Sequence, residues 1–424
     1  MSPHARSVVA ADRVIDGTGA PPRGPTAIVI EDGRIAAMRP LGTEGSGGEV
    51  WVRYGGPGLT AMPGLIDCHD HIAHFGLDLP RRFQLAPSLA ILQVGRWLED
   101  TLRAGVTTFR DAAGADLGLK VAVEQGVIAG PRLLISLVII SQTGGHGDLT
   151  QPSGWTIDFP RLPGIPEATA DGVDGVRRKV REVLRLGADW IKIATNGGGG
   201  SPRGGYTTRQ FCFDEVRTIV EEAHREGVRV MAHAHGGESL DMCLAAGVDT
   251  IEHGSLASDR QLAEMARRRI WMVPTLSVTQ RMVERIQRDP TSVPAYTAVR
   301  VPAMLDKKRA TFQRALSLGV PIAMGTDAGA LGHAQNAREL VYMVEAGMMP
   351  MQAIVAATGD AARLLGMEDR IGTLEVGRRA DLLLVAGDPL ADIAVAADPG
   401  RLALVMKDGC AYAAAGRARG TNST

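Results

Sequence analysis

The residues best suited to chemistry are histidines placed two apart at the ends of apolar runs. His69 and His71 form the HDH of GLIDCHDHI, and His233 and His235 lie in VRVMAHAHG. Residues two apart in an extended strand share a face, so each pair can point into one site. Imidazole pairs of this kind are typical ligands of a divalent metal ion.

Three further runs carry polar side chains near their ends. Lys192 lies in DWIKIATNG, His253 in VDTIEHGS and Asp327 in VPIAMGTDAG. A lysine inside an apolar strand is costly unless it is paired or chemically altered. Because the chain has only 10 histidines, their concentration at strand ends predicts a metal site rather than scattered surface histidines.

These residues follow eight apolar, strand-like runs that alternate with helical stretches. Segments such as VDGVRRKVREVLRLGA and FDEVRTIVEEAHREG show the periodicity of amphipathic helices. The repeated alternation predicts an α/β fold, a (β/α)8 TIM barrel with its site at the C-terminal ends of the strands. An open doubly wound sheet shares the alternation and is the less favoured alternative. The long Pro- and Gly-rich connection after SQTGGHGD is typical of a functional lid.

Composition argues against several functional classes. The formal net charge is -1, and no basic stripe indicates nucleic acid or an anionic membrane as partner. No apolar run reaches the roughly 18 residues of a membrane span, and no signal peptide is expected. The cysteines lack the spacing of a disulfide framework or a zinc site, so we expect a reducing, cytoplasmic location. They are Cys68, Cys212, Cys243 and Cys410.

The combined motifs resemble those of the amidohydrolase superfamily over nearly the whole chain. They are MPGLIDCHDHI, the lysine of DWIKI, the histidines of MAHAHG and IEHGS, the aspartate of GTDAG, and the flanks VIDGTG and IGTLEVGRRADLLLVAGDPLADI. The resemblance implies that residues 1–62 and 370–424 form one small β-sandwich domain built from both chain ends. Residues 63–369 would form the metal-dependent hydrolase barrel.

The resemblance also implies two divalent metal ions. The ligands carried over are His69, His71, Lys192, His233, His253 and Asp327. Lys192 would be carboxylated by CO2 and would bridge both metals, because a carbamate offers two oxygens and a negative charge. Spacing cannot say which of His233 and His235 is the ligand. The family's usual position favours His233 and leaves His235 to act on the substrate or on the ligands.

Within the superfamily, SQTGGHGD, NGGGGSPRGGYTTRQ and HAHG resemble the prolidase-like group, which includes dipeptidases and ochratoxin-hydrolysing amidases. The implied reaction is hydrolysis of an amide bond to an α-amino acid with a free carboxylate. Asp327 would pass the proton of the attacking water to the leaving amine. His146 would stabilise the carbonyl oxygen, and His146, Tyr206 and Arg203 would bind the substrate carboxylate.

Other enzyme activities would use the same metal ligands. Imidazolonepropionase-like enzymes match part of the pattern, so a cyclic amide or imidazolone hydrolase and an N-acyl deacylase remain alternatives. A non-catalytic scaffold is a remote alternative, because every expected ligand is present. Zinc is the expected metal, although such a ligand set also accepts Mn, Co or Fe. The expected partners are a small-molecule substrate and further copies of the chain in a homo-oligomer.

Overall fold

The computed structural model describes residues 6–42, 52–74, 85–150, 153–156, 164–201 and 203–412. The strands are β1 (Ser7–Ala11), β2 (Arg13–Val14), β3 (Thr26–Glu31), β4 (Arg34–Pro40), β5 (Val52–Gly55), β6 (Leu59–Pro63), β7 (Leu65–Asp70), β8 (Val106–Asp111), β9 (Arg132–Ile135), β10 (Ile139–Ile140), β11 (Trp190–Ala194), β12 (Arg229–Gly236), β13 (Thr250–Leu256), β14 (Trp271–Val273), β15 (Leu382–Ala386), β16 (Leu402–Lys407) and β17 (Cys410–Tyr412).

Helices follow most of the strands. They are α1 (Pro87–Arg103), α2 (Leu117–Glu124), α3 (Gly172–Arg185), α4 (Phe213–Arg225), α5 (Gly237–Ala246), α6 (Asp259–Arg268), α7 (Leu276–Arg288), α8 (Ala295–Arg300), α9 (Leu305–Ser317), α10 (Arg338–Glu345), α11 (Pro350–Ala356), α12 (Gly359–Leu365) and α13 (Ala394–Ala397), with 3-10 turns at Pro290–Ser292, Pro302–Met304, Ala328–Ala330 and Pro399–Arg401.

The helices form where the sequence places apolar residues on one face. In α3 the buried positions are Val176, Val180 and Val183, which recur with helical spacing. At the start of α6 the Ser258 side chain accepts the backbone N–H of Gln261, while the Gln261 side chain accepts the Ser258 N–H. This reciprocal cap satisfies donors that the first helical turn leaves free.

Parallel strands carry the residues singled out above. β7, β8 and β9 form one sheet, and β10 to β14 form a second sheet in consecutive order. Backbone hydrogen bonds extend the pattern, since the Cys68 N–H donates to the Met324 carbonyl and the Met272 N–H to the Pro321 carbonyl, both at 2.9 Å. The segment 321–327 therefore lies between β7 and β14. All six positions of β8 are buried, as expected for strands covered on both faces.

Two of the eight expected strands are irregular. The third run is divided into β9 and β10, because Leu137 between them has a left-handed φ of 65°. The eighth run is extended but joins its neighbour through a single bridge, between Met272 and Ile322. In both places the backbone departs from a regular ladder close to the residues that the sequence marks for chemistry.

Strands from both chain ends combine in antiparallel and mixed sheets. One sheet has the order β17-β16-β15-β6-β2 and a second has the order β4-β3-β1-β5. An apolar cluster contains Val9 and Ile28 of the second sheet together with Leu382 and Leu404 of the first. β6 leads into β7 through Gly64, where an added Cβ would lie 2.2 Å from Thr107 Oγ1. Only glycine fits this passage between the two layers.

No helix among the residues that the structure describes has the length and apolar character needed to cross a membrane. All four cysteines lie in described segments and are free, with Cys68 and Cys243 buried.

Candidate active site

A cluster of imidazole rings forms where the parallel strands end. The ring centroids of His69 and His71 are 5.5 Å apart, and His253 lies 5.0 Å from His69. His233 lies 4.6 Å from His253 and stacks against His146 at 4.2 Å. All are buried except His146, which is half-buried. The structure therefore brings histidines from β7, β12 and β13 into one site.

The tightest group consists of His69, His71 and Asp327, whose potential ligand atoms all lie within 4.8 Å of one another. His71 Nε2 is 3.6 Å from Asp327 Oδ1. Asp327 adopts a left-handed φ of 57°, and its N–H donates to the His69 carbonyl at 2.7 Å. This backbone strain turns the carboxylate toward the histidines of β7. Burial raises the pKa of Asp327 to about 7.

Lys192 on β11 reaches the same group. Its Nζ lies 3.5 Å from His69 Nε2, and the residue is 1% exposed. Burial lowers the pKa of Lys192 to about 8, against the opposing effect of Glu252 and Asp327. A lysine whose ammonium form is destabilised has an amine available for reaction with CO2. Burial therefore makes Lys192 more readily available as a free amine than an exposed lysine.

Several imidazoles are held by their Nδ1 atoms, which leaves Nε2 for a ligand. The Nδ1 partners are a Glu252 carboxylate oxygen for His69, the Ala113 carbonyl for His71 at 3.0 Å and Thr275 Oγ1 for His253 at 2.8 Å. Such contacts orient metal-binding histidines in proteins and fix their tautomer. Burial lowers the pKa of His69 to about 3 and that of His71 to about 4, so both rings are neutral and able to bind a cation.

A buried ion pair between Arg110 and Glu252 lies beneath the cluster, and the sequence analysis did not predict it. Glu252, which holds His69, also accepts a hydrogen bond from Arg110 Nη2 at 3.0 Å, and both side chains are 0% exposed. Burial acts to raise the pKa of Glu252, but Arg110 and His69 outweigh it and hold that pKa at about 2. The arginine stacks 4.4 Å above the Trp190 ring. An arginine within the apolar strand run VTTFRD was the available signal.

The two histidines of β12 occupy different surroundings. His233 Nε2 lies 3.3 Å from the Gly197 carbonyl. His235 Nδ1 lies 3.2 Å from Ser255 Oγ, while its buried Nε2 has no hydrogen-bond partner among the described residues. The His235 ring meets Tyr206 edge-on at 4.6 Å. His235 thus offers an unpaired polar atom on the side of the cluster nearest Tyr206.

The glycine-rich run after β11 approaches the rings closely. An added Cβ on Gly198 would lie 3.3 Å from His233 Cε1, and one on Gly199 would lie 2.6 Å from Tyr206 Oη. Ser201, at the end of this run, bonds His146 Nδ1 at 2.6 Å. The run therefore brings its backbone against the site and positions His146, and larger residues would block this approach.

The structure places the Arg203 side chain against the loop that carries His146. Its exposed guanidinium contacts the carbonyls of Gly144 and Thr150 at 3.4 and 3.2 Å and lies 3.7 Å from the Asp148 carboxylate. Arg203 thus fastens the loop that carries His146. The expected lid continues through residues 151–152 and 157–163, which lie outside the described residues.

Arg300 of α8, which the sequence analysis did not consider, contacts the end of the glycine-rich run. It donates to the Ser201 carbonyl at 2.9 Å. Burial raises the pKa of Tyr206 to about 12, and Arg300 opposes that rise. No local motif marks Arg300, because it reaches the site from a helix inserted after β14.

Comparison with known proteins gives a consistent picture. The Amidohydrolase family model matches residues 60–411. Ochratoxinase from Aspergillus niger is 33% identical over 423 residues, covering 95% of this chain and 86% of the ochratoxinase. A Xaa-Pro dipeptidase with bound methionine in its active site has a TM-score of 0.87 and 31% identity, covering 96% of this chain and 100% of that one.

A second solved structure, a prolidase complexed with N-methylphosphonate-L-proline, has a TM-score of 0.87 and 32% identity, covering 96% of this chain and 99% of that one. The family model and the ochratoxinase both span most of the chain, and the similarity includes the strand ends that carry the imidazole cluster. The chain belongs to the amidohydrolase family and is a hydrolytic enzyme.

Proposed function

We propose that this enzyme uses two divalent metal ions to hydrolyse an amide bond whose amine side is an α-amino acid with a free carboxylate. A dipeptide, an N-acyl amino acid or an ochratoxin-type amide would be such a substrate. The observation that carries the proposal is the convergence of buried imidazoles with Lys192 and Asp327 at the strand ends. The names of the relatives support the substrate class, since methionine and the proline derivative in those structures are both α-amino acid compounds.

The donor set fits two metal ions. His69, His71 and Asp327 would hold the more buried ion, because their ligand atoms already lie within 4.8 Å of one another. His233 and His253 would hold the second ion, since their rings are adjacent at 4.6 Å. Neutral imidazoles and carboxylates are ligands that zinc prefers, so zinc is the proposed metal.

Carboxylation of Lys192 completes this set. A carbamate on Nζ would add two oxygens beside His69, at a position where a free ammonium would oppose cation binding. Bound divalent metals supply Lewis acidity, which polarises a carbonyl and lowers the pKa of water to about 7 in favourable sites.

The residues of the chain would move the proton. The Asp327 carboxylate would accept the proton of the attacking water and deliver it to the leaving amine nitrogen, because it lies beside the ligand atoms of His69 and His71. His146 is held at Nδ1 by Ser201, which leaves Nε2 to donate a hydrogen bond to the scissile carbonyl oxygen as negative charge develops there.

The substrate carboxylate needs donors of its own, because an unpaired buried charge costs several kcal/mol. We assign this role to Tyr206 and His235, which meet edge-on beside the cluster, together with His146. The unpaired Nε2 of His235 supports the assignment. Arg203 would act mainly by holding the loop, since its contacts are with the carbonyls of residues 144–150.

We further infer that the parallel strands close into an eight-stranded TIM barrel of residues 63–369. Hydrogen bonds on both sides of segment 321–327 support closure. The shared apolar cluster of the two outer sheets supports one composite β-sandwich of residues 1–62 and 370–424, of which residues 1–5, 43–51 and 413–424 lie outside the described residues. The four free cysteines favour the proposed cytoplasmic location.

The test compares an N-acyl amino acid with its C-terminal amide. The free acid should be favoured in kcat/KM by about 100-fold or more, which is roughly 3 kcal/mol of lost charged contacts. Tyr206→Phe should reduce this preference. Tyr296→Phe is the matched control, because among the described residues its hydroxyl makes one long hydrogen bond, to the Gly200 carbonyl at 3.5 Å. Equal rates for acid and amide, or faster turnover of cyclic imides, would contradict the proposed substrate class.

A further inference from the structure

A cavity lies at the opposite ends of the strands that carry the candidate active site. Its volume is about 330 Å³, and its wall includes Arg229, Thr250 and Trp271, which are the first residues of β12, β13 and β14. The histidines of β12 and β13 lie toward the other ends of those strands. The cavity is therefore separate from the imidazole cluster.

Arginines dominate the wall of this cavity. They are Arg229, Arg268, Arg269 and Arg363. Clustered guanidinium groups repel one another unless carboxylates or a bound anion offset their charge. The positive charge of these four guanidinium groups therefore needs negative charge nearby to offset it.

The acidic residues nearby balance only part of this charge. Arg363 is paired with Asp360, and Arg268 lies 3.8 Å from Glu264. Asp249 also lines the cavity, but its Oδ2 accepts hydrogen bonds from His224 Nε2 at 2.8 Å and from a backbone N–H.

Two of the arginines have no carboxylate within ion-pair distance among the residues that the structure describes. They are Arg229 and Arg269. Arg229 is held in place, since its Nη1 donates to the Leu364 carbonyl at 2.6 Å. Arg269 ends α6 with a left-handed φ of 57°, at a position where glycine is the usual residue. Arg229 also lies 6.0 Å from the centre of the Trp190 ring, and Arg269 interacts electrostatically with Asp360, but both guanidinium groups keep N–H donors without a hydrogen-bond partner among the described residues.

We propose that this cavity, defined by Arg229, Arg268, Arg269 and Arg363, binds a small oxyanion with more than one negative charge, such as inorganic phosphate, pyrophosphate or a phosphomonoester. The planar fork of a guanidinium matches phosphate oxygens with two parallel hydrogen bonds. A volume of about 330 Å³ lies at the lower end of the range for ligand pockets, which limits the occupant to a small molecule. The inference does not depend on the proposed amide substrate.

Isothermal titration of the metal-loaded enzyme with inorganic phosphate, pyrophosphate and glycerol phosphate, at constant ionic strength, tests the site. We expect saturable binding of at least one probe that Arg229→Gln and Arg269→Gln each weaken about tenfold or more, since a charged hydrogen bond contributes that much. The three probes distinguish a free phosphate from a phosphate group on a larger molecule.

Arg267→Gln is the matched control. Arg267 lies on the same helix and is 71% exposed, but it pairs with Glu264 and does not line the cavity. It should change the binding constant less than twofold. Arg269→Gln removes no hydrogen bond recorded in the described structure, so this variant should fold even if Arg229→Gln does not.

Two results would overturn the site. Absence of saturable binding is one. Unchanged affinity in Arg269→Gln is the other, because the probe would then be bound elsewhere, for example at the metal centre. Amide hydrolysis is measured separately, so its loss or retention does not bear on this site.

Discussion

Replacing Glu252 by glutamine should destabilise the protein far more than the loss of an ordinary ion pair. The variant removes the charge that faces Arg110 at 3.0 Å while leaving the guanidinium 0% exposed. The other acceptors of Arg110 are the Cys68 carbonyl and the Thr250 hydroxyl, neither of which carries a charge. Breaking a buried pair in this way costs about 3–5 kcal/mol of unfolding free energy.

The same substitution should weaken metal binding independently. Glu252 holds His69 Nδ1, and partners of this kind typically contribute 10- to 100-fold to metal affinity or activity. Urea unfolding of the metal-free protein measures the first effect. Competition with a chelator, followed by metal analysis, measures the second.

Glu221→Gln provides the control, because Glu221 lies 4.0 Å from Arg217 on the outer face of α4 and both side chains are more than half exposed. Exposed pairs of that kind contribute about 1 kcal/mol or less, and metal affinity should not change. The reasoning is refuted if Glu252→Gln costs no more stability than Glu221→Gln. Combining Glu252→Gln with Arg110→Met should recover part of the stability, because no unpaired buried charge remains, but not the metal affinity.

Four further substitutions test the assigned roles. Lys192→Ala should lose most of its activity and its bound metal, and small carboxylates should partly restore the activity. Full turnover by a metal-free Lys192→Ala enzyme would exclude a bridging carbamate. Asp327→Asn should keep much of its metal but lose about 10²–10⁴ in kcat, and a loss below tenfold would mean that another group moves the proton. His233→Ala should lose about one equivalent of metal, whereas His235→Ala should keep its metal and have a lower kcat/KM. Metal analysis and kinetics on the same samples measure both effects. The opposite result would mean that His235 is the ligand and that His233 acts on the substrate.

The family and the hydrolytic class could be predicted from the sequence because the motifs that indicate them consist of residues close together in the chain. His69 and His71 lie two residues apart in the sequence, and the structure places His69 on β7 and His71 directly after its last residue. The alternation of apolar runs and amphipathic helices likewise predicted an α/β fold, which the structure confirms. In each case the pattern depends on neighbours in sequence, which a single chain displays directly.

Features that depend on distant residues could not be predicted. Arg110 and Glu252 are 142 positions apart and meet only because β8 and β13 belong to the same fold. The break in the third strand depends on the left-handed backbone of Leu137, a conformation that nothing in RLLISLVIIS indicates. The direction of the Arg203 side chain toward residues 144–150 is likewise set by tertiary contacts, and its assignment to the substrate stays a prediction.

The composite outer sheet has a consequence for how the protein is made. β6 pairs with β15, so Pro63 lies opposite Leu382, and the ribosome must synthesise the intervening residues before that pairing can form. Until then the nascent chain carries β6 with an open edge, immediately before the strand that holds His69 and His71. An open strand edge readily pairs with other chains. The protein is therefore most exposed to misassembly during translation, and truncation before β15 would prolong that exposure indefinitely.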